Sequence, residues 1–220
     1  MDWPRFFLLL KTKKLFFSSG DTLRVYDQYE GSLPNHELKR YLSIMPLESI
    51  QRGIQQRRKE IFVSCWHYSD TESIAMWKIY APTGNGIAVQ TTIPNFKKAF
   101  DCISKNVHAG KVIYINYDTE AFYQNEVVGY DFLNGFVAFI HKRQQFKYES
   151  EYRAIISNTE ELEQLSSGIE IDIDLSLLVR RVVVAPKTPV WIIQAAQFML
   201  DDYLPNVKVE RSIDDRIPIV

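Results

Sequence analysis

One stretch constrains this chain more than any other: Lys147-Tyr148-Glu149-Ser150-Glu151-Tyr152-Arg153-Ala154-Ile155-Ile156, where dense charge runs straight into an apolar strand. Extended backbone repeats every two residues. An extended stretch 149–153 therefore puts Glu149, Glu151 and Arg153 on one face and Tyr148, Ser150 and Tyr152 on the other. Three charges along one strand face require a solvated groove, paired partners or a ligand, because an unpaired buried charge is too costly to keep. The strand rise sets the Cα atoms of Glu149 and Glu151 about 6 to 7 Å apart. Such a pair can divide acid and base roles, since neighbouring carboxylates drive each other's pKa apart. Alternatively, one glutamate holds a ribose hydroxyl while the other steadies an oxocarbenium-like centre during glycosidic cleavage. The plain alternative is a Glu–Arg ladder on a sheet surface, cross-paired to Lys or Arg and contributing little.

A chain of 220 residues with 46% apolar and 24% charged content has globular composition and is long enough to bury a substantial core. The formal net charge of -1, from 26 basic and 27 acidic residues, leaves no global field to hold a nucleic-acid backbone. Cys65 and Cys102 are too few for a disulfide framework or a thiolate zinc site, and reduced thiols are expected. The apolar run at residues 6–10 is cut off by Lys11, Lys13 and Lys14, far short of a membrane span, and its charge follows the apolar block instead of preceding it as in a signal peptide. A cytoplasmic protein with no membrane partner is the expectation.

In chain order, Asp2 and Pro4 open a short helix through Leu10 that starts the chain directly, and 15–17 is a strand closed by Ser18-Ser19-Gly20-Asp21. Residues 21–38 are a polar connection rich in aromatics and acids, read as an ordered loop over the site. Leu38 to Arg58 is helical with an interruption at Pro46, and Ile61 to Trp66 is a strand. Ser69 and Glu72 have capping-box spacing ahead of a helix through Tyr80, and Gly84-Asn85-Gly86 turns into the strand 87–89. Pro94 opens another helix, and 111–115 is a strand. Residues 120–144, with Phe132, Phe136, Phe139 and Ile140 recurring on one face, are the longest helical candidate. After the charged strand come a polar insert from Asn158 to Gly168 and an alternating strand 169–173. A buried strand from Arg181, a helix from Pro189 to about Leu200 and a short strand from Val207 to Arg211 complete the order. Without regular βαβ spacing this is an α+β arrangement: a single domain, 1–220, with a twisted mixed or antiparallel sheet and packed helices.

Further constellations are weaker. Trp77 and Tyr80, three apart on one helix face, are placed to stack a planar ring, although such pairs usually serve as core. Ser64 and Trp66 share one face of their strand and Cys65 takes the other; Cys65 lacks a nucleophile motif and reads as a structural cysteine. The four histidines, at 36, 67, 108 and 141, show no metal-ligand spacing, and no phosphate-binding glycine loop occurs. His141, Lys142, Arg143 and Lys147 form a basic patch ahead of the acidic pair, fit to hold a phosphate or to balance the glutamates.

Over nearly its full length the chain resembles a bacterial and phage family, domain of unknown function 2971. The residues that carry the resemblance are Leu15-Phe16-Phe17-Ser18, Asp27-Gln28-Tyr29-Glu30-Gly31, Val63-Ser64-Cys65-Trp66, Met76-Trp77-Lys78-Ile79-Tyr80, Gly86-Ile87-Ala88-Val89 and Tyr148-Glu149-Ser150-Glu151-Tyr152-Arg153. The family implies no activity. Its members often begin with an extra strand bearing an aromatic–Arg–Tyr element, whereas this chain starts at Met1-Asp2-Trp3.

A looser resemblance links Glu149-x-Glu151 to the paired-glutamate element of ADP-ribosyltransferases, and Ser64-Cys65-Trp66 to their Ser-rich strand. It implies NAD as co-substrate. Glu151 would be the catalytic glutamate, Glu149 would position a protein or nucleic-acid acceptor, and Trp77 or Tyr80 would stack nicotinamide. The expected site is thus Glu149 and Glu151 as catalytic residues, with Arg153, Ser64, Trp66, Trp77, Tyr80 and Lys142 binding a small nucleotide and no metal. The expected function is a nucleotide-processing enzyme of ADP-ribosyltransferase type, acting in a phage–host conflict. A non-enzymatic interaction module and a glutamate-dependent hydrolase stand as its rivals.

Overall fold

The computed structural model describes residues 1–122, 135–157 and 167–215. In chain order the helices are α1 (Trp3–Thr12), α2 (Gly20–Leu23), α3 (Asn35–Leu42), α4 (Leu47–Glu60), α5 (Ile74–Tyr80), α6 (Ile93–Lys98), α7 (Phe136–Ile140), α8 (Leu175–Leu178) and α9 (Val190–Asp201). The strands are β1 (Lys14–Ser19), β2 (Ile61–His67), β3 (Ile87–Gln90), β4 (His108–Lys111), β5 (Ile113–Ile115), β6 (His141–Arg143), β7 (Glu151–Ser157), β8 (Gly168–Asp172), β9 (Arg181–Val184) and β10 (Val209–Arg211). Short 3-10 turns cover Gln144–Glu149 and Ile213–Asp215. The class is α+β. Among the described residues, no helix is long and apolar enough to cross a membrane.

The described residues group into two compact units, the first within 1–15, 69–104 and 171–215. Its sheet has the order β10-β9-β3, with β9 parallel to β10 and antiparallel to β3. Central β9 is covered on both faces, which accounts for the unbroken Val182-Val183-Val184 run. Helix α1 starts where the Asp2 carboxylate accepts the Arg5 N–H and ends at left-handed Lys13, and it buries Phe6, Leu9 and Leu10. Gln197 on α9 ties the C-terminal strand down. Its amide donates to the Val207 carbonyl and its oxygen accepts from the Val209 N–H.

The second unit lies within 16–68 and 105–170 and is built on a five-stranded sheet in the order β4-β7-β2-β1-β8. Strands β2 and β7 pair antiparallel along their whole length, Ile61 opposite Ser157 through His67 opposite Glu151. Directly opposed residues share a face, so one face of this pair carries Ile61, Val63, Cys65 and His67 beside Ile155, Arg153 and Glu151. Its apolar end closes as a core of Ile61, Val63 and Ile155 under Phe139 of α7. A two-stranded parallel ribbon, β5 with β6, sets Tyr114 beside Lys142.

Several local expectations are corrected. The 120–144 helix is helical only at α7 among the described residues, and His141–Arg143 is a strand; Phe132 and the rest of 123–134 lie outside them, as does the insert 158–166. Pairing with β5 wins over helix propensity at 141–143 because it satisfies the same backbone groups. The cap of α5 is Ser73, whose hydroxyl accepts the Met76 N–H. Glu72 is not part of a capping box: its carboxylate accepts from Trp77 Nε1, the Ser212 hydroxyl and the Ile213 N–H.

Candidate functional site

The second unit carries a connected ionic cluster at the polar end of the β2–β7 face. At its base lies Arg153, 1% exposed. Its Nε and Nη2 donate to Glu151 at 2.8 and 3.2 Å, and Nη1 and Nη2 make a fork onto Glu30. The second Nη1 hydrogen goes to the Phe139 carbonyl at 2.7 Å. A guanidinium has five N–H donors, and all five are taken. Arg153 is therefore a structural pivot with no donor left to offer a substrate.

Glu30 arrives from the connection between α2 and α3, which is fastened by Arg58: its Nε donates to the Glu30 carbonyl and its Nη2 to Ser32. Gly31 follows at φ +65, where an added Cβ would meet the Phe139 ring at 2.6 Å; only glycine fits this close, left-handed position. The same connection supplies buried Asp27, which accepts from Arg143 Nη2 at 2.6 Å. The Arg143 guanidinium sits 4.3 Å from the Tyr29 ring centroid and 5.3 Å from that of Phe146.

Lys142 bridges the two glutamates of the motif. Its ammonium donates to Glu149 and, at 2.7 Å, to Glu151, and it stands 4.6 Å from the Phe146 ring centroid. Burial opposes the charge on Lys142, but Glu151 and the hydrogen bonds to both carboxylates more than compensate and raise its pKa above the ordinary value.

The extended reading of 149–153 is corrected here. Glu149 ends a 3-10 turn, Ser150 is left-handed at φ 44 and ψ 61, and the strand begins only at Glu151. The left-handed residue turns the chain where both flanking carboxylates reach the Lys142 ammonium. Burial and the contact with Glu151 push Glu149 up to about 7. Glu151 is also penalised by burial, yet Arg153, Glu149 and Lys142 together hold it well below the usual carboxylate range. Their surroundings thus favour the protonated form of Glu149 and the ionised form of Glu151.

Around this pair stand three further groups, of which sequence reasoning assigned only Cys65, as a structural cysteine. The Tyr114 hydroxyl accepts the Glu151 N–H at 2.8 Å, and burial pushes its pKa up to about 12. His67, opposite Glu151, donates from Nδ1 to the Glu149 carbonyl at 2.6 Å. Cys65, opposite Arg153, is reached by solvent, but the protein packed around it pushes its thiol well up, with Arg153 opposing and Glu151 reinforcing. It is a neutral thiol and no ready nucleophile. Among the described residues, no group of three or more His, Cys, Asp or Glu could hold a metal ion.

Of the residues expected to act together, Glu149, Glu151, Arg153 and Lys142 converge. Ser64 and Trp66 do not join them. They share a face, with Trp66 Nε1 donating to Ser64 at 3.0 Å, but that face is opposite to the one bearing Glu151, because each is one residue out of step with Cys65 and His67. Trp77 and Tyr80 belong to α5 of the first unit, Trp77 bonded to Glu72 and Tyr80 exposed. Asp27 and Glu30 left a trace in the sequence, an acidic and aromatic stretch ending in glycine; Tyr114 and His67 left none beyond their strands.

Searches of curated proteins and of solved structures find no match to this chain. Residues 76–154, a stretch that includes Lys142, Glu149, Glu151 and Arg153, match the family described as "Protein of unknown function (DUF2971)", and over that stretch the chain is similar to that family.

Proposed function

We propose that Glu149 and Glu151 are the acid–base centre of a glutamate-dependent hydrolase. What supports this is the convergence of both carboxylates on the Lys142 ammonium, in surroundings that push Glu149 up to about 7. A carboxyl poised near ambient pH serves both as proton donor and as acceptor. Glu149 would protonate the leaving group of a neutral glycosidic, ester or amide bond and then take a proton from the attacking water. Glu151, held ionised by Arg153 and Lys142, would steady the charge. Both carboxylates bond the one ammonium of Lys142, so the pair would work as a dyad with Lys142 between its members.

ADP-ribosyl transfer is the second reading, supported by Glu149-x-Glu151 at the entry to a strand. Nicotinamide leaves NAD as a neutral molecule without needing a proton, so Glu149 would act there as base toward the acceptor. A non-enzymatic interaction module, the third, is supported by the saturation of Arg153, which gives the cluster a structural use of its own.

The test is turnover of a panel of neutral nucleosides, aryl glycosides and aryl esters, run beside labelled NAD with mixed protein and nucleic-acid acceptors, for wild type and Glu149→Gln. Turnover of a neutral substrate with a pH limb near 7, lost in E149Q, supports the hydrolase. Label transfer from NAD alone shifts the assignment to the second reading, and inertness in both arms overturns the two enzymatic ones.

A further inference from the structure

We propose that His67 and Tyr114 are positioning residues for the carboxyl pair, gripping the main chain on either side of left-handed Ser150 and so holding Glu149 against Glu151. This rests on the acid–base reading of that pair and names the side chains that create it.

A regular strand does not bring carboxyls two residues apart into contact, because its rise leaves their Cα atoms roughly 6 to 7 Å apart with parallel side chains. The convergence of both carboxylates on Lys142 depends on Ser150 at φ 44 and ψ 61, a conformation that residues other than glycine adopt only when their surroundings impose it. Four hydrogen bonds from outside the turn impose it. Two run between main chain and a neighbour: Tyr68 N–H donates to the Ser150 carbonyl at 2.7 Å, and the Ser150 hydroxyl donates to the Tyr68 carbonyl at 2.8 Å. The other two come from side chains. His67 Nδ1 donates to the Glu149 carbonyl at 2.6 Å, and the Tyr114 hydroxyl accepts the Glu151 N–H at 2.8 Å.

The two side chains hold the residues flanking Ser150, one by its C=O and the other by its N–H, and they come from different strands. His67 on β2 lies opposite Glu151, and Tyr114 on β5 lies beside Lys142 on β6. A carbonyl can only accept, so the His67 ring carries its proton on Nδ1 in the neutral form and leaves Nε2 as an acceptor. Tyr114 Oη uses a lone pair for Glu151, which leaves its own proton to give. Neither Nε2 nor that proton has a partner among the described residues. The titratable and charged groups around the pair are Lys142 on β6 and Tyr114 on β5, which act on both members, His67 on β2, which bonds the Glu149 carbonyl, and Arg153 on β7 and Cys65 on β2, which act on Glu151. Removing either grip leaves the charges of Lys142, Glu151 and Arg153 in place and loosens the main chain that sets the separation of the two carboxyls.

The experiment follows glutamate carboxyl titration by NMR in the full chain labelled with carboxyl-¹³C glutamate, assigned through E149Q, for wild type, His67→Ala, His67→Asn and Tyr114→Phe. The wild type should show one glutamate titrating near neutrality. H67A and Y114F should return it toward the ordinary glutamate value of about 4.3. H67N, whose amide can donate from the position of Nδ1, should keep it raised. A raised titration persisting in both H67A and Y114F with native circular dichroism overturns the inference while leaving the acid–base reading intact. A wild type without any raised glutamate overturns the acid–base reading itself. Should H67A or Y114F unfold, H67N decides: folded with the raised titration lost, it overturns the inference, and folded with it kept, it supports it.

Discussion

Replacing Arg153 by Met tests whether the ionic cluster is the pivot of the second unit. The guanidinium is 1% exposed and its partners Glu30 and Glu151 are 2% and 7% exposed at the side chain. Methionine has nearly the right length but removes five hydrogen bonds, one of them from the Phe139 carbonyl in the core. With Glu149 protonated, Arg153 and Lys142 balance Glu30 and Glu151; without Arg153 the cluster keeps one uncompensated buried negative charge. Breaking such a pair costs about 3 to 5 kcal/mol, against a total stability of roughly 5 to 15 kcal/mol for a domain. Urea unfolding followed by circular dichroism should show R153M losing that amount at unchanged slope. Adding Glu30→Gln to R153M should restore roughly 1 kcal/mol or more, because it removes the surplus carboxylate. A loss under about 1 kcal/mol for R153M would refute the reasoning, since it would mean that the guanidinium is solvated and that the cluster holds nothing together.

The remaining expectations concern the same cluster. Glu149, raised in the folded state, contributes stability that is complete below its unfolded pKa and is lost as pH climbs through about 7. Unfolding free energy should therefore fall between pH 4.5 and 8, by roughly 1 to 3 kcal/mol once solvent screening of this half-buried carboxyl is allowed for, and E149Q should flatten that slope. Glu151, depressed when folded, contributes stability present above its unfolded pKa and lost as pH falls through the folded one, so Glu151→Gln should remove part of the acid-side loss in the same titration. Gly31→Ala forces a Cβ to within 2.6 Å of the Phe139 ring at φ +65; it should lower the urea midpoint, equivalent to about 1 to 3 kcal/mol. Cys65, though reached by solvent, should alkylate with iodoacetamide more slowly than a free cysteine at pH 7.5, and Glu151→Gln should speed it, as read by intact mass over time.

Most elements of the fold were legible because their causes are local. Asp2 and Pro4 start α1, Pro46 separates α3 from α4, and Val182-Val183-Val184 announces a strand covered on both faces. The alternation of 169–173 likewise reports one wet face. Helix propensity at 141–143 and the capping-box spacing of Ser69 with Glu72 mislead where a distant partner decides, β5 for the first and Ser212 with Ile213 for the Glu72 carboxylate in the second.

For the site, sequence by itself determined which charges had to be dealt with: Glu149, Glu151 and Arg153, in a run that turns apolar too soon for all three to be solvated. What they do was decided by tertiary structure. Glu30 comes 123 residues away to saturate Arg153, Lys142 folds back between the carboxylates, and His67 and Tyr114 fasten a left-handed Ser150 that no propensity favours. Strand parity then sends Ser64 and Trp66 to the far face. Spacing along a chain fixes which side chains can share a surface, but the separation of two charged groups, and so the proton they exchange, depends on neighbours that only the folded chain brings within hydrogen-bonding distance.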